Sequence, residues 1–268
     1  LVQKALNLIK DNAMKEGRGG RMAGTVYIVG SGPGTVDLLT LKAAMILFKA
    51  NLVLFDRLID KKILSLCPEN AELIDVGKIP GENQDEKQNR IHELMVKYSK
   101  EGKMVVRLKG GDPFLFGRGG EEAEKLSEEG IPFEVVPGVT SAIAVPAFAG
   151  IPVTHRKISS SLAIVTGHED PKKEGKRIDL AKISEAVDTL VILMGVGKLE
   201  GNIKTVLKKR AGDTPVALIE SGCTEKQRTI ISTLKNIVDD AKKAKVKPPA
   251  VLVIGDVVKL REALKWYE

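Results

Sequence analysis

The sequence has only two cysteines, Cys67 and Cys223, and three histidines, His92, His155 and His168. None falls at zinc-ligand spacing and two thiols build no disulfide framework, so neither a metal site nor a cross-linked scaffold is expected. Aromatics make up 4% of the chain, and no basic run is interleaved with them, which argues against a nucleic-acid binder. No apolar stretch approaches the roughly 18 to 20 residues of a membrane span. Residues 1–22 carry Asp11 and Glu16 and lack a small-residue cleavage site, unlike a secretory signal. They read as a short amphipathic helix and a Gly/Arg linker, an N-terminal extension ahead of the regular fold. The expected location is the cytoplasm.

What the chain does have is charge, with a formal net of +7 spread throughout rather than blocked. Such a distribution is a solvated, salt-bridged surface, or a field that draws in an acidic small molecule. Short β-branched runs alternate with Lys/Glu/Leu segments of helical period. The strands expected are "TVYIVG", "NLVLFD", "AELIDVG", "MVVRLKGG" and "PFEVVPG", then "LAIVTGH", "TLVILMG", "TPVALIESG", "QRTIIS" and "AVLVIGD". Helices are expected at 37–49, 85–101, 119–129, 202–210 and 237–243. This alternation predicts an α/β chain. Two α/β domains are expected, 23–138 with a mainly parallel sheet and 139–268 with a mixed one. The mixing follows from "QRTIIS", which trails a strand by only a short turn and so pairs antiparallel.

Nearly every strand ends in glycine or a polar residue, and ligands of open α/β sheets sit at strand carboxyl ends. "VYIVGSGPG" resembles a dinucleotide fingerprint only in part. Gly30 and Gly32 fit, but Thr35 stands where the third glycine belongs, and Pro33 removes a donor from the cradle. Asp56, ending "NLVLFD", is the acid such a reading would place on a ribose. A dinucleotide-binding oxidoreductase is therefore the weaker alternative. The densest signal is "VVRLKGGDPFLFGRGGEE", Val105 to Glu122. Its glycines allow close backbone approach, Asp112 can accept hydrogen bonds, and Arg118 between glycines can reach an anion or simply pair with Glu121 or Glu122.

With "GIPVTHR", "VVPGVTSA", "VILMGVG" and "ALIESGCTEKQRT" following in order, the chain resembles the tetrapyrrole methylases from Thr25 to about Val258. The resemblance implies two α/β domains with the active cleft between them, a homodimer, and S-adenosylmethionine as methyl donor. It also implies uroporphyrinogen III as the acceptor, methylated at two ring carbons to precorrin-2 for sirohaem or cobalamin-type cofactors. A sister methylase acting on a later cobalt-precorrin is the near alternative. By position, Pro33, Gly110, Gly111, Asp112, Leu115, Thr140, Ser141, Met194, Gly222 and Ala250 fall on the family's donor contacts. Asp56 falls on the proton acceptor, Lys78 on the proton donor and Arg118 on the substrate-facing arginine; no metal is implied. The acceptor's carboxylates make Arg107, Arg118 and Arg156 intelligible as anchors. Thr35 departs from the family's usual Gly-Pro-Gly-Asp, and is expected to take over helix capping from that aspartate.

Overall fold

A computed structural model of the chain describes residues 24–77, 83–169 and 177–267. The chain divides between Thr140 and Ser141 into two compact units. In the first, β1 (Val26–Gly30), β2 (Leu52–Phe55), β3 (Glu72–Asp75), β4 (Val105–Lys109) and β5 (Phe133–Val136) form one sheet in the order β3-β2-β4-β1-β5. Every pairing is parallel, so all five carboxyl ends open on one edge.

Alternation along these strands splits their side chains between two faces. Val29, Val53, Phe55, Val106 and Leu108 pack with Ala43 and Leu47 of α1 (Leu41–Leu47). Val26, Ile28, Leu52, Leu54 and Val105 meet Ile91 and Met95 of α2 (Gln84–Lys100) and Ala123 and Leu126 of α3 (Gly119–Glu128). A sheet covered on both faces is the usual state of parallel strands, which is why these runs are nearly all apolar. The start of α2 is set by a capping box. Asn83 Oδ1 accepts from the Asp85 and Glu86 amides at 2.9 Å, and Glu86 Oε2 accepts from the Asn83 amide at 2.9 Å. The expected helix at 37–49 is broken. A 3-10 turn at Val36–Leu38 comes first, and α1 begins only after Thr40, whose Oγ1 accepts from the Ala43 amide at 3.2 Å.

The second unit begins with α4 (Ser141–Phe148), which packs against the sheet. Its strands are β6 (Leu162–Thr166), β7 (Thr189–Leu193), β8 (Pro215–Glu220), β9 (Arg228–Thr233) and β10 (Ala250–Ile254), in the order β6-β7-β10-β8-β9. β6 and β7 are parallel; β10 runs antiparallel to both β7 and β8, and β9 antiparallel to β8. The sheet is mixed, as the short turn before "QRTIIS" predicts. α5 (Leu180–Ala186), α6 (Leu199–Val206) and α7 (Ile237–Lys243) cover one face through Ile203, Val206, Ile237 and Ala241. Among the described residues no helix is long and apolar enough to cross a membrane.

Candidate functional site

In the first unit the strand ends cross one another where they have no side chains. The Ser31 amide donates to the Lys109 carbonyl at 2.8 Å, and Gly32 and Gly111 exchange backbone hydrogen bonds at 3.2 and 2.8 Å. Gly32 and Gly111 hold φ of +74° and +68°, the left-handed region that glycine enters without penalty. Gly30 has an ordinary φ, but a Cβ there would lie 2.6 Å from the Gly111 carbonyl oxygen and 2.7 Å from the Gly138 Cα. At Gly110 it would lie 3.2 Å from the Leu58 Cβ. The loops after β1, β4 and β5 thus form a tight crossing built of backbone, with Gly30, Ser31 and Gly32 buried in it.

Asp112 holds this crossing in shape. Its Oδ1 accepts from the Phe114 and Leu115 amides at 2.9 and 3.1 Å, and its Oδ2 from the Gly138 amide at 3.0 Å. One carboxylate therefore closes the "GGDPFL" turn and ties it to the loop after β5, where Thr140 follows. No α-helix opens within Ser31–Gly34, so the loop lacks the helix N-terminus that a pyrophosphate cradle uses. This removes the structural basis of the dinucleotide alternative. Thr35 corrects a further expectation. Its side chain makes no capping bond, and its Oγ1 is buried without a hydrogen-bond partner among the described residues. The turn closes instead on the Thr35 carbonyl, which accepts from the Leu38 amide at 3.1 Å.

Asp56 sits just past β2 at the same edge. Its Oδ2 accepts from Arg107 Nη2 at 2.7 Å and its Oδ1 from Lys87 Nζ at 3.3 Å. Burial pushes its carboxyl up, but Arg107, Lys109 and Lys87 outweigh that and hold it below its ordinary 3.8. Asp56 is ionised at neutral pH. Arg107 is itself buried and also donates through Nε to Glu122 Oε1 at 2.9 Å, an atom that Lys109 Nζ reaches at 2.9 Å as well. Burial, with Arg107 adding to it, pulls Lys109 below the usual lysine range. Arg107 is therefore not an anchor for substrate carboxylates, because it is buried and its hydrogen bonds run to groups inside the protein. Sequence reasoning missed this network. The signal was there: Arg107 and Lys109 follow Val105 at period two on the covered face of an apolar strand, where charge requires a partner.

Arg118 takes φ of +59° at the N-cap of α3 and is half-buried. Its Nε and Nη2 pair with Glu121 Oε1 and Oε2 at 2.8 and 2.6 Å, and its Nη1 donates to the Gln84 carbonyl at 3.4 Å. Pro33 and Leu115 lie in the two loops of the crossing. Lys78 falls outside the described residues. Arg156 is exposed in the turn between His155 and Ser159 of the second unit.

In the second unit, Met194 follows β7 with φ of +54° and is 53% exposed. Ala250 opens β10 opposite Glu220, the last residue of β8, and Gly222 follows two positions on. Since β10 runs antiparallel to β7 and β8, Met194, Gly222 and Ala250 gather at one end of the sheet. Gly222 is a packing glycine: a Cβ would meet Val145 Cγ2 of α4 at 2.6 Å. Ser141 is the first residue of that helix.

A parallel sheet with a glycine crossing at its carboxyl edge, followed by a mixed sheet, matches a family already known. The profile of tetrapyrrole (corrin/porphyrin) methylases covers residues 25–238, and the chain belongs to that family. It is similar to the uroporphyrinogen-III C-methyltransferase of Methanocaldococcus jannaschii, with 50% identity over 90% of this chain and 100% of that protein. Among solved structures it resembles the uroporphyrin-III C-methyl transferase of Thermus thermophilus complexed with S-adenosyl homocysteine. The identity there is 40%, the TM-score 0.75, and the match covers 88% of this chain and 94% of that one. A cobalt precorrin-4 methyltransferase has the same fold at TM-score 0.77 but only 26% identity, over 88% and 96% of the two chains.

Proposed function

We propose that the chain is an S-adenosylmethionine-dependent enzyme that C-methylates uroporphyrinogen III at two ring carbons, giving precorrin-2 for sirohaem or cobalamin-type cofactors. The observation that carries this is the 50% identity spanning the whole of a uroporphyrinogen-III C-methyltransferase. The lower identity to the cobalt precorrin-4 enzyme weighs against a later corrin precursor.

The close approach of the loops at Gly30, Gly32 and Gly111 brings backbone rather than side chains to the carboxyl edge of the sheet, which suits a donor held mainly through backbone groups. We assign donor contacts to Pro33, Gly110, Gly111, Asp112, Leu115, Thr140, Ser141, Met194, Gly222 and Ala250, with Asp112 also closing the turn that carries Leu115. The donor supplies an already activated methyl, so the protein's main task is alignment with an electron-rich pyrrole carbon. Methylation leaves the macrocycle cationic, and a proton must go. Asp56 accepts it; the acidity of that cation makes a carboxylate of low pKa a sufficient base. Arg118 turns from Glu121 to a substrate carboxylate, and Lys78 is the proton donor. The two domains are the compact units on either side of Thr140–Ser141, and the working form is a cytoplasmic homodimer.

The test is an anaerobic incubation of the purified protein with S-adenosylmethionine and uroporphyrinogen III. The expected product is a methylated macrocycle that becomes a chromophore on oxidation. Unmethylated uroporphyrinogen recovered under reducing conditions overturns the assignment.

A further inference from the structure

Asp56 is clamped by two cations, one at each carboxylate oxygen, and the stronger of them is fixed from behind. Arg107 has four hydrogen bonds that determine the plane of its guanidinium. Nε donates to Glu122 Oε1 at 2.9 Å, Nη1 to the Leu54 and Leu108 carbonyls at 3.4 and 3.3 Å, and Nη2 to Asp56 Oδ2 at 2.7 Å. Glu122 is fully buried; its Oε1 also takes Lys109 at 2.9 Å and Gln88 Nε2 at 3.4 Å, while its Oε2 accepts nothing among the described residues. A buried ion pair of this kind gains little stability over an apolar core, so its residue choice calls for another reason. The arrangement delivers one guanidinium N–H to one oxygen of a carboxylate that is itself only 21% exposed. Among the described residues, the other oxygen has just the longer, partly solvated Lys87 contact at 3.3 Å.

We propose that Arg107 and Lys87 are positioning residues for Asp56, with Glu122 as the buried counter-charge that fixes Arg107. Arg107 locks Oδ2 and the rotamer. Oδ1 is then the accepting atom: the C–H bond of the methylated macrocycle breaks, its electron pair returns to the conjugated ring, and the proton bonds to Oδ1 as Lys87 moves aside. Among the described residues, the charged groups set around Asp56 are Arg107 and Lys109 from β4, Lys87 from α2 and, behind Arg107, Glu122 from α3. His92 of α2 stands further off, joined to Glu122 by two hydrogen bonds through Gln88. The proposal rests on the reading of Asp56 as proton acceptor.

The experiment compares Arg107→Lys, Lys87→Met and Asp56→Asn, singly and as the Arg107→Lys/Asp56→Asn double variant. It measures kcat and KM for both substrates across pH, with S-adenosylhomocysteine binding and thermal melting alongside. Arg107→Lys is expected to lower kcat about tenfold or more with both KM values nearly unchanged, and to move the acid limb of kcat to higher pH. Lys87→Met acts in the same direction by about threefold, because its pair is longer and wetter. On an Asp56→Asn background, Arg107→Lys adds no further loss. Lys87 lies at the rim and carries the test even if the buried Arg107 variant does not fold. The proposal is overturned if Asp56→Asn is slow but neither cation variant moves the acid limb, or if their losses simply track melting. Wild-type kcat in Asp56→Asn overturns the acceptor reading instead.

Discussion

Replacing Gly30 by alanine adds one methyl group at the tightest point of the crossing. Its Cβ would lie 2.6 Å from the Gly111 carbonyl oxygen and 2.7 Å from the Cα and amide nitrogen of Gly138. All three are backbone atoms, so no side chain can rotate away. Relief requires parting β1 from the loops after β4 and β5, against the 2.8 Å bond from the Ser31 amide to the Lys109 carbonyl and the Gly32–Gly111 pair. Overpacking costs about 1–3 kcal/mol, and a site walled by backbone belongs at the upper end, about 3 kcal/mol. For a chain of this size that lowers the melting temperature by roughly 6–12 °C. Calorimetric titration with S-adenosylhomocysteine should show at least about a tenfold weaker Kd, the equivalent of about 1.4 kcal/mol. Gly201→Ala is the control. Gly201 lies inside α6 with no atom within 4 Å of its would-be Cβ, and alanine there should stabilise by about 0.5–1 kcal/mol. A Gly30→Ala protein that melts within about 2 °C of wild type and binds S-adenosylhomocysteine normally would refute the crossing as a tight, donor-holding surface.

Two further predictions come from charge and burial. Asp56 is held below its ordinary 3.8, so its contribution to stability is complete above that value and is lost as the pH falls through its lower folded value. Melting temperature should therefore drop on acidification below about pH 4, and drop less steeply in Asp56→Asn; equal slopes would remove Asp56 from the acid response. Burial pushes the Cys67 thiol up to about 11, and Cys223 is buried. Neither should react with a thiol reagent at neutral pH until the protein unfolds, and fast labelling of the native protein would contradict the packing.

The strands were legible because each is a short β-branched run ended by glycine or a polar residue. The mixed second sheet was legible from the few residues between Glu220 and Arg228, too few for a parallel crossover. α5 was not. It is seven residues long, offers only Leu180 and Ile183 to the core, and depends on Asp179 accepting from the Lys182 amide at 3.1 Å. α6 begins at Leu199, ahead of the expected 202, and beyond Val206 the chain runs on as turns bonded back to Ile203 and Val206. The helix at 37–49 was overextended because Thr40 reads as an ordinary helical position until its cap is seen.

At the site, the glycine loops and Asp56 stood out by composition. The Arg107 network did not, since its partners come from the end of β2, from α2 and from α3, which only the folded sheet brings together. Asp112 was read as a ligand contact from its place in "KGGDP"; the three backbone amides it accepts from became visible only in the fold. Arg118 was weighed between an anion and a salt bridge, and in this structure it grips Glu121.

The central claim is that this chain transfers methyl groups to uroporphyrinogen III, twice per macrocycle. The direct measurement is mass spectrometry of the product formed anaerobically with methyl-labelled S-adenosylmethionine in excess. Two labelled methyl groups on each converted macrocycle are predicted. None, with the donor bound, or a single methyl that persists at excess donor, would contradict it.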